Sequence, residues 1–406
     1  MHCHTHMLPG GLRIIHMPSD STVAYCGVAI RAGARDELPG ETGLAHFVEH
    51  LLFKGTRKRR TWHILNRMEA VGGELNAYTS KEETFIYSIF LADDFERAVE
   101  LISDLIVRSQ FPQREMEKER AVVLDEIGSY RDNPAELIAD EFEDMLFAGH
   151  PLGHSILGDR KSLFAFRRES CLSFVERYYT APGMVFFSMG KMDFRRVVRL
   201  SEKYFSDLPA RPSVRCREAP PAVTPRQVVK RKKTHQAHVM IGGPAYSLFD
   251  DRQTALFLLN DILGGPGMNS RLNVSLREKN GLAYSVESSV SAYTDTGVFS
   301  VYFGADPKRR EEAFHLVEKE LRTLRENKLS DARLSAARKQ AIGQIGVSRD
   351  NREALFLGMG KTFLNRNRYD SLPEVFDRIN AVTATRLCDV ANEIFAPDRM
   401  FSLIYE

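Results

Sequence analysis

The chain is poor in the features that mark membrane, nucleic-acid-binding and secreted proteins. It has 56 basic and 54 acidic residues, so its formal net charge is only +2. This balance gives no reason to expect nucleic acid or an anionic membrane as a partner. No stretch approaches the roughly 20 apolar residues of a membrane-spanning helix. The start of the chain lacks a basic region followed by an apolar one, so we expect no signal peptide.

Cysteine is scarce and scattered. The five cysteines are odd in number and never form a Cys-x-x-Cys pair, which indicates reduced thiols and a cytoplasmic protein. At 406 residues the chain is too long for one ordinary core, and its length predicts two or three domains. The histidine-rich start, Met1 to His6, is interpreted as an edge or mobile segment and not as a metal site.

Two histidines and a glutamate stand close together in a predicted helix. His46 and His50 are four residues apart, so both imidazoles lie on one helical face and can reach one metal ion. Glu49 is close enough to act on a water at that metal without being a ligand. The order His-x-x-Glu-His is the inverzincin signature. A helix that merely carries paired histidines is the structural alternative, because three fixed positions can arise by chance in a chain of this length.

A catalytic zinc usually has three protein ligands, and an acidic segment offers candidates for the third. The stretch from Glu115 to Ile127 contains no glycine or proline and predicts a helix. Glu119 and Glu126 are seven residues apart, two turns along one face. On spacing alone either could be the ligand, and an ordinary solvated acidic face is the alternative.

Three motifs occur in order: Gly43-Leu-Ala-His-Phe-Val-Glu-His-Leu-Leu-Phe-Lys-Gly-Thr56, Gly72-Gly-Glu-Leu-Asn-Ala-Tyr-Thr-Ser80 and Glu119-Arg-Ala-Val-Val-Leu-Asp-Glu126. Together they resemble the pitrilysin family of zinc metallopeptidases, in particular the bacterial relatives of mitochondrial processing peptidase. The resemblance runs from about Leu8 to the C-terminus. It implies one Zn²⁺ per chain, with Glu126 as the third ligand and Glu119 as a supporting catalytic residue.

The second half carries a segment similar to the second signature of that family, Leu276-Arg277-Glu-Lys-Asn-Gly-Leu-Ala-Tyr284. The resemblance implies that Arg277 and Tyr284 face the metal across a closed chamber and contact the substrate near the scissile bond. Without it, a surface arginine and a core tyrosine would be the default interpretation. The glycines from Gly264 lack the Gly-Lys-Ser/Thr ending of a phosphate-binding loop, so we reject nucleotide binding.

The residues also suggest how a peptide would be held and cut. Glu49 would act as the general base, and Tyr284 would donate a hydrogen bond to the oxyanion. The segment from Glu74 to Phe90 predicts an exposed β edge, with Asn76 and Ala77 at its start as substrate-binding residues. A peptide added there as an extra strand would be bound with little regard to its sequence.

One pattern occurs twice. A strand-like run, an Ala-Asp pair and an amphipathic helix appear around Ala92-Asp93 and again around Ala305-Asp306, 213 residues later. The same offset carries His46 and His50 to Leu259 and Leu263, where no metal ligand stands.

We therefore predict an α+β fold of two homologous domains from a tandem duplication, each a mainly antiparallel sheet covered by helices. The predicted boundaries are a metal-binding domain at 1–208, a proline-rich linker at 209–226 and a domain without a metal site at 227–406.

The combined prediction is a zinc metalloendopeptidase acting on short or unfolded peptides. Because the family's chamber takes four domains, the resemblance implies a homodimer, and a heterodimer with a related subunit stays open. The alternative is a non-catalytic or partner-dependent peptide-binding subunit of a heterodimeric processing peptidase. The intact His-x-x-Glu-His favours the enzyme.

Overall fold

A computed structural model of the chain describes residues 3–213 and 217–406. Met1 and His2 of the histidine-rich start, and residues 214–216 of the predicted linker with Cys216, lie outside the described residues. The chain forms two compact units. Unit 1 comprises Met1–Gly128, His154–Glu218 and Ser348–Ser371, and unit 2 comprises Ser129–Gly153, Ala219–Val347 and Leu372–Glu406.

The helices are ordinary in length, and each is named here by its bounds. In chain order they are α1 (Leu44–Leu52), α2 (Thr61–Glu69), α3 (Phe95–Arg108), α4 (Gln113–Arg131), α5 (Pro134–Leu146), α6 (Arg160–Ala165), α7 (Arg168–Tyr178), α8 (Phe194–Phe205), α9 (Gln253–Gly264), α10 (Arg310–Glu326), α11 (Asp331–Ser348), α12 (Arg352–Arg366), α13 (Leu372–Ala381) and α14 (Ala384–Ile394). Within the described ranges, none is long and apolar enough to cross a membrane.

Unit 1 is built on a six-stranded sheet with the order β1-β2-β6-β3-β5-β4. Only the β2–β6 pair is parallel, and the other neighbours are antiparallel. The described histidines of the histidine-rich start, His4 and His6, lie in β1 at one edge, as predicted. The strands are β1 (His4–Met7), β2 (Arg13–Pro18), β3 (Val23–Ile30), β4 (Glu74–Thr79), β5 (Thr84–Leu91) and β6 (Met184–Gly190).

Unit 2 repeats this topology with five strands in the order β7-β11-β8-β10-β9. The β7–β11 pair is parallel and the rest are antiparallel, so each strand has a counterpart in unit 1. The strands are β7 (Gln227–Lys230), β8 (Ala237–Ala245), β9 (Ala283–Ala292), β10 (Gly297–Ala305) and β11 (Phe401–Tyr405).

The repeated sequence pattern corresponds to a repeated structure. In unit 1, β5 runs through a short 3₁₀ helix at Ala92–Asp94 into α3, and in unit 2, β10 runs through one at Pro307–Arg309 into α10. Matching strand order, strand direction and crossover confirm the predicted duplication and the α+β class.

Both faces of each sheet are covered, whereas the sequence predicts helices on one face. In unit 1, α12 packs its buried Phe356 and Met359 on the face of the sheet that presents Phe187. The rings of Phe356 and Phe187 are stacked with centroids 4.4 Å apart. Gly360 permits this approach, because a Cβ there would lie 2.7 Å from the Phe187 ring. In unit 2, α5 packs Ile138 and Phe142 on the corresponding face.

The two covering helices come from the opposite halves of the sequence. α5 precedes the predicted linker yet belongs to unit 2, and α12 follows it yet belongs to unit 1. The predicted boundaries divide the chain contiguously, so they differ from the compact units at these two helices. The described residues of the predicted linker contain no helix or strand, and β7 begins immediately after it.

Phe356→Ala should lower the free energy of unfolding by about 3–5 kcal/mol, because the stacked ring is fully buried and its loss leaves a cavity. Phe257→Ala is the matched control, since that ring on α9 is 43% exposed, and we expect a change within about 1 kcal/mol. Denaturant titration measures both. Equal effects of the two substitutions would show that α12 does not form part of the core.

Candidate metal centre

The site is built on α1, which is apolar nearly all round. Of its residues only His50 is not fully buried. The leucines and Phe47 of this helix pack in the core of unit 1, and this packing draws the imidazole of His46 and the carboxyl of Glu49 out of water. Buried polar and charged groups are costly without partners. The surrounding elements must therefore supply them.

Three potential ligand atoms converge beside α1. One atom each from His46, His50 and Glu126 lies within 4.8 Å of the others. The two oxygens of Glu126 are 3.6 Å from Nε2 of His46 and 3.5 Å from Nε2 of His50. Ligands about 2.1 Å from a tetrahedral zinc are about 3.4 Å apart, so these separations suit such a centre.

The protonation chemistry of the site also suits a cation. Burial, together with the neighbouring charge of His50, lowers the pKa of His46 from 6.5 to about 3. His46 is therefore neutral, with a ring lone pair available to a metal. Glu49, Glu119 and Glu126 surround the two imidazoles, and Lys54 is the lysine paired within this group. The residues present therefore fit a divalent metal.

Glu119 orients His50. Its Oε1 is 2.9 Å from His50 Nδ1 and its Oε2 is 2.7 Å from Lys54 Nζ. Burial works to raise the pKa of Glu119, but the hydrogen bonds from His50 and Lys54 outweigh it and hold that pKa below its usual value. An ionised Glu119 accepts a hydrogen bond from the Nδ1–H group of His50, which leaves Nε2 of His50 directed toward Glu126.

Glu49 lies one residue before His50 and has a separate partner. Thr79, the last residue of β4, donates its hydroxyl to Glu49 Oε2 at 2.8 Å. Burial raises the pKa of the Glu49 carboxyl, and the Thr79 hydrogen bond opposes that shift. A buried, oriented carboxyl with a raised pKa is suited to proton transfer near neutral pH.

Asn76 and Ala77 lie on β4, at the edge of the sheet in unit 1. The predicted edge is therefore present in β4, the strand that also positions Glu49. The prediction is wrong for the rest of the segment, because β5 lies between β3 and β4 inside the sheet. Both residues are half-buried. Their predicted contact with substrate stays a prediction.

Arg277 and Tyr284 belong to unit 2. Arg277 lies in a short π-helix at Asn273–Glu278, and Tyr284 is the second residue of β9. The tyrosine is 83% exposed, and the arginine guanidinium lies 5.5 Å from its ring centroid. Tyr284 is thus not the core tyrosine that its sequence context alone would suggest.

The second unit has apolar residues where the first has its histidines. Leu259 and Leu263 are buried on α9, which follows β8 as α1 follows β3. Among the described residues, the group on α1 and α4 is the one found with metal-ligand geometry.

Two contributing residues were missed by sequence reasoning. Thr79 stands in the Gly72–Ser80 motif and Lys54 in a basic run, but no periodic pattern assigns either a role. Each acts through a single contact with a residue 30 or more positions away.

Comparison with known proteins identifies the family. The model for insulinase (peptidase family M16) matches residues 14–160, and the model for the peptidase M16 inactive domain matches residues 165–341. The chain is 33% identical to an uncharacterized zinc protease of Streptomyces coelicolor over 98% of this chain and 88% of that protein. It is 31% identical to the uncharacterized zinc protease YmxG of Bacillus subtilis, over 97% and 96% respectively. The chain therefore belongs to peptidase family M16.

Solved structures agree on the fold. A crystal structure from Pseudomonas fluorescens, described as a peptidase M16 inactive domain, has a TM-score of 0.93 at 20% identity and covers 100% of this chain and 98% of that one. A protease from Helicobacter pylori has a TM-score of 0.89 at 22% identity, with 100% and 99% coverage. At these identities the likeness concerns the fold alone.

Glu126→Ala should abolish stoichiometric zinc binding, whereas Glu119→Ala should weaken it by about 10- to 100-fold, because a residue that orients a ligand contributes less than the ligand itself. Asp125→Ala, at an exposed neighbouring position, is the control and should bind zinc normally. Metal content and chelator competition measure the three variants. Zinc lost from the Glu119 variant but kept by the Glu126 variant would reverse the assignment.

Proposed function

We propose that the protein is a zinc-dependent endopeptidase that hydrolyses short or unfolded peptides. The observation that carries the proposal is the convergence of His46, His50 and Glu126 beside a buried, oriented Glu49. Relatives that span nearly the whole chain are named zinc proteases, which supports zinc as the metal.

His46, His50 and Glu126 would hold the metal. When bound, zinc supplies a Lewis acid that polarises a carbonyl and lowers the pKa of a coordinated water to about 7. Glu119 keeps His50 in the tautomer whose Nε2 is free to coordinate, because its carboxylate accepts a hydrogen bond from the Nδ1–H group.

Glu49 would move the protons. Because Thr79 occupies Oε2, we assign the transfer to Oε1, which takes a proton from the attacking water and delivers it to the leaving nitrogen. The raised pKa of this carboxyl makes it a stronger base, which favours the first transfer, from the attacking water to Glu49.

The edge strand β4 would hold the substrate. Its partner within the sheet is β5, so its other side can accept a peptide as an added strand. Backbone pairing along Asn76 and Ala77 would align the peptide with little dependence on its side chains. Extended pairing of this kind requires an unfolded segment, which is why we propose short or unfolded peptides as substrates.

Arg277 and Tyr284 would act on the substrate from a second copy of the chain. An aromatic side chain that is 83% exposed and lies next to an arginine is available for such contact. In this proposal the enzyme is a homodimer, and Tyr284 donates its hydroxyl to the oxyanion of the transition state. A related partner subunit in place of the second copy is the alternative.

Glu49→Gln should retain stoichiometric zinc and lose hydrolysis by several orders of magnitude, because an amide can hydrogen-bond to Thr79 but cannot accept a proton. Glu117→Gln, on the exposed face of α4, is the control and should behave as wild type. Hydrolysis of a quenched unstructured peptide, with and without chelator, measures both. Wild-type turnover by Glu49→Gln would show that another group is the base.

Mixing Glu49→Gln subunits with Tyr284→Phe subunits should restore activity. Each variant alone is inactive, but a mixed dimer has one site with both its base and its tyrosine. Recovery should reach about half the wild-type value per mixed dimer if the two sites are independent.

The double variant Glu49→Gln/Tyr284→Phe, mixed with Glu49→Gln, is the control, because no combination of these subunits contains an intact base. Exchange between differently tagged subunits establishes that mixed dimers form. If exchange occurs and activity stays absent, Tyr284 does not act between two copies of the chain.

A further inference from the structure

We propose that Glu37 is a positioning residue for the metal centre: its buried carboxylate caps α1 from outside the helix and so fixes the direction of His46 and His50. This inference rests on the proposed zinc site and extends it to a residue whose hydrogen bonds go to none of the three proposed ligands.

The N-cap of α1 cannot carry a side chain. Gly43 has a φ of 91°, in the left-handed region that favours glycine. A Cβ at Gly43 would lie 2.7 Å from Cα of Gly158 and 2.8 Å from the carbonyl oxygen of Leu157. These contacts are with backbone atoms, which cannot move aside easily. The helix therefore lacks the Ser, Thr, Asp or Asn cap that would normally bind its first amide groups.

Glu37 supplies the missing acceptor. Its Oε2 accepts the backbone N–H of Gly43 at 2.9 Å, and its Oε1 accepts that of Ala45 at 2.8 Å. Both oxygens are thus used on the first turn of α1. Burial raises the pKa of the Glu37 carboxyl, and the hydrogen bonds from Ala45 and Gly43 oppose that shift.

The segment that carries Glu37 is itself held firmly. Backbone N–H groups of Ala34 and Arg35 donate to the carbonyls of Ser80 and Lys81, at 3.1 and 2.7 Å. Arg217 pairs with the adjacent Asp36 at 2.7 Å. The cap is therefore a fixed point and not a flexible side chain on a loop.

The position of the cap relates it to the metal ligands. His46 is the residue after Ala45, and His50 follows one turn later, so a change in the first turn alters the direction of both imidazoles. Loss of the cap should let that turn fray. A frayed turn would leave the zinc ligands present but less well ordered.

The test compares Glu37→Gln with Asp193→Asn in the full-length protein. Asp193 is a matched control, because its carboxylate caps α8 of the same unit by accepting the N–H groups of Arg195 and Arg196. Two quantities are measured. One is hydrogen exchange of the α1 amides in metal-free protein, and the other is zinc affinity by chelator competition.

We expect Glu37→Gln to accelerate exchange in α1 and to weaken zinc binding at least about tenfold, in the range typical of residues that support metal ligands. Asp193→Asn should leave both quantities at wild-type values, because asparagine caps a helix about as well as aspartate. Glu37→Asp keeps the carboxyl on a shorter side chain, so its exchange rate and zinc affinity should lie between those of wild type and Glu37→Gln. It serves as the test if the glutamine variant does not fold.

Two outcomes would overturn the inference. Unchanged exchange in α1 would show that Glu37 is not an effective cap. Faster exchange with zinc affinity equal to that of Asp193→Asn would show that the cap does not position the ligands. Wild-type protein that binds no zinc would overturn the proposed function instead, and the exchange experiment separates the two cases because it needs no metal.

Discussion

The metal centre depends on one constraint: α1 is packed into the apolar core while carrying an imidazole and a carboxyl on its buried surface. Burying either group costs free energy unless it has a partner, and Nδ1 of His46 has no hydrogen-bond partner in the described part of the chain. Thr79 on β4 meets Glu49, and Glu119 and Glu126 on α4 meet the histidines. The helix that buries the chemistry thereby determines which neighbouring elements must approach it. At the start of α1, the backbone of Gly158 lies too close to Gly43 for a side chain at this N-cap position. Glu37 instead accepts the backbone N–H of Gly43.

The two carboxylates of α4 contact opposite nitrogens of the His50 ring. Glu119 contacts Nδ1 of His50, the side of the ring away from the ligand atoms, and Glu126 lies 3.5 Å from Nε2 of the same ring. Their seven-residue separation places both on one face of α4, so spacing cannot distinguish them. What distinguishes them is burial: the Glu119 side chain is 7% exposed and paired with Lys54, whereas the Glu126 side chain is 41% exposed.

Features that depend on residues close together in the sequence were predictable, and features that depend on distant residues were not. His46, Glu49 and His50 lie within one helical turn, so their grouping was predictable from spacing. The duplication was predictable because strand, crossover and helix repeat in order. The exchange of α5 and α12 was not, because each apolar face is completed by a sheet from the opposite half of the chain, and an amphipathic pattern does not name its partner. Thr79 and Lys54 were not predicted for the same reason: each is an ordinary polar residue whose role comes from one distant contact. Glu37 was not predicted because it binds backbone N–H groups, which no side-chain pattern reveals.

The two repeats show how one topology can support different chemistry. In unit 1 the helix after the third core strand carries ligands, and its buried polar groups require support from β4 and α4. In unit 2 the corresponding helix α9 carries Leu259 and Leu263 in the core. Buried leucines need no hydrogen-bond partners. β9, the counterpart of β4, therefore does not have to support either leucine in the way that Thr79 of β4 supports Glu49. Its exposed Tyr284 can then face outward. In the proposed function, the unit without ligand residues carries the edge strand that contacts the substrate, and the other unit holds the proposed ligands and base.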